Sequence, residues 1–267
     1  MKVDGRKMAS DILAEVRASL PDNVVPVVRA VVVSPTPATE SYQRIKMQRA
    51  QEGGMRLEVV KMPDDATDDA VMSAIGAPGA DAAIVQLPLP ERFDHERIVN
   101  AIPVAIDADV LSAAAYARFE NNEPGALVPP VAQGVWEILV RSGVDVRGKR
   151  VAVVGRGQLV GKPCATLLAR MGAIVTSVTR STEDRERIYQ EADIIVSGAG
   201  VAHLITPDMV KEGVVLVDAG TSGSRGGVAG DIHPDCEAKA SLFTPVPGGV
   251  GPVAVSCLFK NTARLLS

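Results

Sequence analysis

Tyr42 and Lys46 stand four residues apart in a stretch, Thr39 to Glu52, that reads as a helix, so the two side chains share one face with Ile45 beside them. Gln86 closes a buried apolar run, at the carboxyl end of a strand where open α/β sheets place their ligands. Asp107 and Asp109 follow in a polar turn. Tyrosine, lysine, glutamine and aspartate brought together could orient a polar heterocycle and move a proton. A lysine is useful for that near neutral pH only if burial or neighbouring positive charge lowers its pKa. A lysine on the apolar side of a helix ordinarily snorkels to water, and these residue types are too common to name a substrate.

A second group has the chemistry of an anion site. In Val151-Ala-Val-Val-Gly155-Arg-Gly157-Gln-Leu-Val-Gly161-Lys-Pro163 the glycines fall between a strand and a helix. Their spacing is one residue longer than the usual dinucleotide fingerprint, and a further strand follows roughly 20 residues on. Helix N-terminal amides at such a turn favour a pyrophosphate. The next strand ends in Thr179-Arg180-Ser181-Thr182, with no carboxylate before Glu183 to bind ribose hydroxyls. Arg180, with Arg156 in the turn itself, can grip a 2′-phosphate, which predicts NADP over NAD; the alternative is two solvated surface arginines. A third group, Thr244-Pro-Val-Pro-Gly-Gly-Val-Gly-Pro252, is too rich in proline and glycine for an ordinary helix or strand. It is either a shaped loop against a ligand or a rigid linker to a last helix, Val253 to Leu266.

Strands and helices must alternate to position these groups. The expected order is helix Asp11–Leu20, strand Val24–Val33, helix Thr39–Glu52, strand Arg56–Met62, helix Asp68–Ile75 and a strand within Ala82–Pro90. Helix Val131–Ser142 then connects to a second series: strand Val151–Val154, helix Lys162–Met171, and strands Ile174–Val178, Asp193–Val196 and Val214–Asp218. The fold class is α/β, two lobes with a cleft between them, the common place for a ligand.

Composition agrees with that class. Hydrophobic residues make up 46% and aromatics only 3%, so the core must be built from Val, Ala, Leu and Ile, as in a parallel sheet covered by helices. A net charge of −4 without blocks of like charge gives no case for nucleic acid. The start lacks a signal peptide's apolar core and no run reaches membrane-spanning length. Three widely spaced cysteines fit a reducing cytoplasm. His95, His203 and His233 show no ligand spacing, so no metal is expected.

Four blocks in order, Tyr42-x-x-x-Lys46, Gln86-Leu-Pro-Leu-Pro90, Gly155-Arg-x-x-x-Val160-Gly161-Lys-Pro163 and Thr244 to Pro252, resemble the bifunctional methylenetetrahydrofolate dehydrogenase/methenyltetrahydrofolate cyclohydrolase family. The resemblance runs from Asp4-Gly5-Arg6 to Asn261-Thr262. It implies a folate-binding catalytic lobe (1–125, with the C-terminal helix 253–267) and an NADP-binding Rossmann lobe with a parallel sheet (126–252). It further implies a cytoplasmic homodimer in one-carbon metabolism and purine biosynthesis, acting on tetrahydrofolate derivatives without nucleic acid or membrane. By that resemblance, Tyr42 stacks on the folate ring, Lys46 assists hydration of the methenyl group, Gln86 positions its amine, and Asp109 hydrogen-bonds the pterin. Gly155, Arg156, Gly157, Val160, Gly161, Arg180, Ser181 and Thr221 hold the cofactor, and the loop bearing Pro247, Gly248, Gly249 and Pro252 walls the folate site.

The chain also departs from the family's pattern. Lys-Asp-Val-Asp-Gly is here Ile106-Asp-Ala-Asp-Val110, and Pro-Cys-Thr-Pro is Pro129-Pro-Val-Ala132. Gly157 stands for a serine, Thr179-Arg180 for His-Ser, Asp218-Ala-Gly-Thr-Ser222 for Asp-Val-Gly-Ile-Asn, and Val253-Ala254 for Met-Thr. All four catalytic candidates survive. The alternatives are an enzyme with one of the two activities or an altered substrate on the same scaffold, and a non-catalytic folate or dinucleotide sensor.

Overall fold

The computed structural model describes residues 1–34, 37–224 and 227–266. In chain order the elements are α1 (Gly5–Ser19), β1 (Val27–Val33), α2 (Pro37–Glu52), β2 (Arg56–Met62), α3 (Asp68–Gly76), β3 (Ala82–Val85), α4 (His95–Asn100), α5 (Ala113–Glu120), α6 (Pro130–Arg141) and β4 (Arg150–Val154). There follow α7 (Gly161–Arg170), β5 (Ile174–Val178), α8 (Arg185–Glu191), β6 (Ile194–Ser197), β7 (Val215–Asp218), β8 (Ser222–Ser224), β9 (Gly227–Ala229), β10 (Leu242–Phe243) and α9 (Val250–Leu265). They form two compact units, Ser10–Pro130 with Val255–Ser267, and Met1–Ala9 with Val131–Ala254.

The first unit carries a parallel sheet of order β2-β1-β3, the expected βαβαβ arrangement. Six of the seven β1 residues are buried, as befits a central strand covered on both faces. Val31, Val33, Ala83 and Val85 join Val71 and Ile75 of α3 in one core, closed by Phe93 and Ile98. The single charge inside β1, Arg29, is paired with Glu58 at 3.0 Å and caps the carbonyls of Ala77 and Pro78, so it is not left uncompensated.

The second unit carries a five-stranded parallel sheet of order β10-β7-β6-β4-β5. Successive strands run outwards in both directions from β4, so the strand order reverses there, and a ligand crevice belongs at the carboxyl end of β4. Its core gathers Ala152, Val154, Val178, Ile195, Leu216 and Tyr189. This is the Rossmann-type parallel sheet expected of the C-terminal half.

Several boundaries shift for local reasons. The first helix starts at Gly5, six residues before the apolar periodicity becomes visible, because Asp4 Oδ1 accepts the amides of Arg6 (3.1 Å) and Lys7 (3.0 Å). The strand in Ala82–Pro90 stops at Val85, since the prolines beyond cannot donate to a ladder. The last helix starts at Val250 and takes Pro252 into its first turn, where a missing amide costs nothing. The short helices α4 and α5 and the β8–β9 hairpin fall in stretches where apolar periodicity predicts no element.

Candidate active site

Helix α2 and the end of β3 bring together two of the predicted residues. The Lys46 amine donates to Gln86 Oε1 at 3.0 Å. Gln86 is itself fixed, because its Nε2 donates to the carbonyl of Leu87 at 2.7 Å. Burial pushes the Lys46 pKa down, and the charge of Asp109 partly opposes that. A lowered lysine can exist as the free amine, which is the condition for it to accept a proton. Lys46 is therefore held rather than snorkelled. Tyr42 lies in α2 one turn earlier; its side chain falls outside the described residues.

The two aspartates of the 106–110 turn have separate fates. Asp107 is buried and accepts from Ser112 Oγ (2.7 Å) and from the amides of Ser112 (2.8 Å) and Leu111 (3.1 Å), so it is spent on holding the turn and starting α5. Asp109 accepts no hydrogen bond from the described residues. Burial pushes its carboxyl up to about 6, with Lys46 pulling it down and Asp107 adding to the rise. Asp109 and Lys46 thus form an electrostatic couple in which each favours the other's charged form. Val110, which replaces the family's glycine, has φ +56°, a region in which a β-branched residue is strained.

One neighbour escaped the sequence. Gln43 is 6% exposed, and its Nε2 donates to the same Gln86 Oε1 at 2.8 Å. Its position three residues before Lys46 on α2 was the available signal.

In the second unit, Gly155 has φ +101°, and a Cβ on it would lie 2.7 Å from the carbonyl oxygen of Gly198. A Cβ on Gly161 would lie 2.1 Å from the carbonyl oxygen of Gly155. Glycine is required at both points for the chain to turn tightly from β4 into α7. A Cβ on Gly157, by contrast, would have nothing within 4 Å, so the turn opens to solvent there. Val160 caps α7 without any side-chain hydrogen bond, leaving the first helical turn without a side-chain acceptor. Such an end suits a pyrophosphate. Arg156 and Arg180 are exposed and carry no ion pair among the described residues. Thr179 Oγ1 lies 3.0 Å from Ser181 Oγ, and the Thr179 amide donates to Thr182 Oγ1 at 2.9 Å, so a knot of hydroxyls sits beside Arg180. The residues present fit a phosphorylated dinucleotide.

Two buried carboxylates that the sequence did not single out as functional are Asp218, the last residue of β7, and Asp231 beyond it. Asp231 accepts from Ser197 Oγ (2.7 Å) and from the amides of Ala199 (2.6 Å) and Val201 (2.8 Å). Asp218 accepts from Gly220 (2.9 Å) and Ile232 (2.8 Å); burial, with Asp231 adding, pushes it up to about 7 against those amides. Thr221 lies between the two in sequence and is exposed. Thr244 is buried and its Oγ1 accepts the Asp218 amide at 2.7 Å, anchoring the Pro-Gly loop to β7. Within that loop the Val246–Pro247 peptide is cis, Gly248 has φ +104°, and Gly248 O accepts the Gly5 amide at 3.0 Å. Gly249 is buried, Pro247 is exposed, and Pro252 stands in the first turn of α9. The Leu87–Pro88 peptide is cis as well.

Residues 3–109 match the catalytic domain of tetrahydrofolate dehydrogenase/cyclohydrolase, and residues 129–267 match its NAD(P)-binding domain. The bifunctional protein FolD of Lacticaseibacillus paracasei is 36% identical over 274 residues, covering 99% of this chain and 96% of that protein. That of Thermus thermophilus is 37% identical over 265 residues, covering 97% and 94%. Among solved structures, bifunctional FolD from Campylobacter jejuni aligns with a TM-score of 0.94 at 28% identity, covering 99% of this chain and 98% of that one. The Trypanosoma brucei dehydrogenase-cyclohydrolase, complexed with NADP and an inhibitor, aligns with a TM-score of 0.92 at 32% identity, covering 99% and 96%.

Proposed function

The chain belongs to the tetrahydrofolate dehydrogenase/cyclohydrolase family, and from that premise we propose how its own residues divide the work. It is a bifunctional enzyme that oxidises 5,10-methylenetetrahydrofolate with NADP and hydrolyses the resulting 5,10-methenyl compound to 10-formyltetrahydrofolate. NADP, when bound, supplies the acceptor for the hydride leaving the methylene carbon.

The Gly155, Gly157 and Gly161 turn, with Val160 at its rim, takes the pyrophosphate at the first turn of α7. Arg156, Arg180 and Ser181 take the 2′-phosphate, Arg180 in the place of the family's serine, and Thr221 lines the same crevice. Lys46 acts in hydrolysis. Water adds to the methenyl carbon, the free amine of Lys46 takes a proton from it, and Gln86 holds that amine through its carbonyl oxygen. Asp109 hydrogen-bonds the pterin and keeps Lys46 from losing its basicity altogether. Tyr42 stacks on the folate ring, and Pro247, Gly248, Gly249 and Pro252 wall it. We assign residues 1–125 and 253–267 to the folate lobe and 126–252 to the cofactor lobe.

The observation that carries the hydrolytic role is the 3.0 Å bond from the Lys46 amine to Gln86 Oε1 in a setting that lowers the lysine's pKa. Lys46→Ala abolishes hydrolysis of supplied methenyltetrahydrofolate; full hydrolysis by that variant would refute the assignment. A cytoplasmic homodimer feeding purine biosynthesis is the setting we infer. The edge position of β5, with Ile174 60% exposed, supports self-association, which sedimentation tests directly.

A further inference from the structure

We propose that Asn261 is the positioning residue for Asp109, an inference that rests on the assignment of Asp109 to the pterin and of Lys46 to hydrolysis. Asn261 stands on the buried stripe of α9, four residues after Cys257 and three after Leu258, and is shielded from solvent. Its Nδ2 donates to the carbonyl of Ala108 at 2.9 Å and to that of Val128 at 2.9 Å. Turned over, the amide would set its oxygen against both carbonyl oxygens at that distance, so the orientation is determined. The Ala108 carbonyl belongs to the peptide whose nitrogen is that of Asp109. The bond from α9 therefore holds the peptide plane from which the Asp109 side chain departs.

Other bonds hold the turn on either side. Asp107 forms an isolated parallel bridge with Ala83 of β3, and its carboxylate takes the amides of Leu111 and Ser112. Asn261 supplies the hold at the peptide between them. Its amide carries two N–H donors on a short stem, where serine or threonine offers one donor and leucine none. Stability is a poor account of the residue. Asn261 Oδ1 is a buried acceptor without a partner among the described residues, and its lost hydration offsets much of what two neutral hydrogen bonds contribute. What the two bonds supply is a fixed place for the turn. Asp109 depends on that place, because the charges that act on it are Lys46 of α2 and Asp107 of its own turn. Coulombic attraction falls with separation and with the entry of water. A turn released from α9 therefore weakens the hold of Asp109 on the Lys46 amine.

Asn261→Leu keeps the branching of the side chain and removes both donors. The rising limb of the methenyl hydrolysis rate against pH is expected to move to lower pH by about half a unit, less than in Asp109→Asn. The cause is that Lys46 loses part of the charge that raises its pKa. In the Asp109→Asn background the same change is expected to move the limb by less than about 0.2 unit, since no charge at 109 is left to displace. Asn261→Ser, with one donor for two carbonyls, serves in the same way if the leucine variant does not fold. A limb that stays at its wild-type place, or moves to higher pH, overturns the proposal. So does an equal shift with and without the charge at 109, whereas a loss of stability alone moves no limb. Asp109→Asn by itself separates the failures. If it leaves the limb in place, the roles of Lys46 and Asp109 are wrong; a shifted limb there beside an unmoved one in Asn261→Leu removes only the present proposal.

Discussion

The carboxylate of Asp231 occupies the space that a side chain on Gly220 would need: a Cβ there would lie 2.1 Å from its Cγ and Oδ2. From that place Asp231 holds the amides of Ala199, Gly200 and Val201, and hence the loop leaving β6. The same loop seats the glycine turn, because Gly198 packs against both Gly155 and Val160. Gly220→Ala forces the carboxylate aside. The expected result is a loss of about 1–3 kcal/mol in stability. KM for NADP should rise about tenfold, with cofactor-independent hydrolysis changed far less. Unchanged KM for NADP in the folded variant would separate Asp231 from the cofactor site.

Asp109 makes stability depend on pH. Its folded pKa, about 6, lies above the ordinary 3.8, so between those values the folded protein holds a proton that the unfolded chain has released. Stability from this group is full below pH 4 and is lost as pH rises through 6. Asp109→Asn removes the penalty. It is expected to unfold about 2–3 kcal/mol harder than wild type at pH 8 and to show little difference at pH 4. Urea titrations at the two pH values decide it, and an equal change at both would mean that the effect is one of packing.

The same substitution acts on catalysis in a predictable direction. Asp109 is the charge that raises the Lys46 pKa against burial, so its removal lowers that pKa further. The rising limb of the hydrolysis rate against pH, which reports the free amine, therefore moves to lower pH in Asp109→Asn. A limb that stays in place, or moves to higher pH, would show that Lys46 is not the base.

Much of this was legible in the sequence because it depends on spacing. Tyr42 and Lys46 fall on one helix by their interval, Gly155 and Gly161 fall at a strand-to-helix turn by theirs, and the apolar runs of β1 and β4 announce a parallel sheet. Gln43 was hidden because a glutamine on a helix is ordinary until a partner from β3 is placed opposite it. Asp231 was hidden for a related reason: its partners come from β6 and the loop beyond, about thirty residues earlier. The early start of α1 rests on a cap at Asp4, which apolar periodicity cannot register.

Val110 offers the last test, because strain and burial oppose each other there. It is buried, which favours the side chain by about 1.5–2 kcal/mol. It also sits at φ +56°, where a β-branched residue carries a strain of about 1–3 kcal/mol. Val110→Gly loses the first and relieves the second, so the net change is expected within about 1 kcal/mol of zero. Val31, fully buried in the middle of β1, has no strain to release, and Val31→Gly is expected to cost roughly 3–4 kcal/mol. Chemical denaturation of the two variants side by side measures the difference. Equal losses would mean that the turn at Asp107–Val110 accommodates valine without strain, and the departure from glycine at this position would then have no backbone consequence.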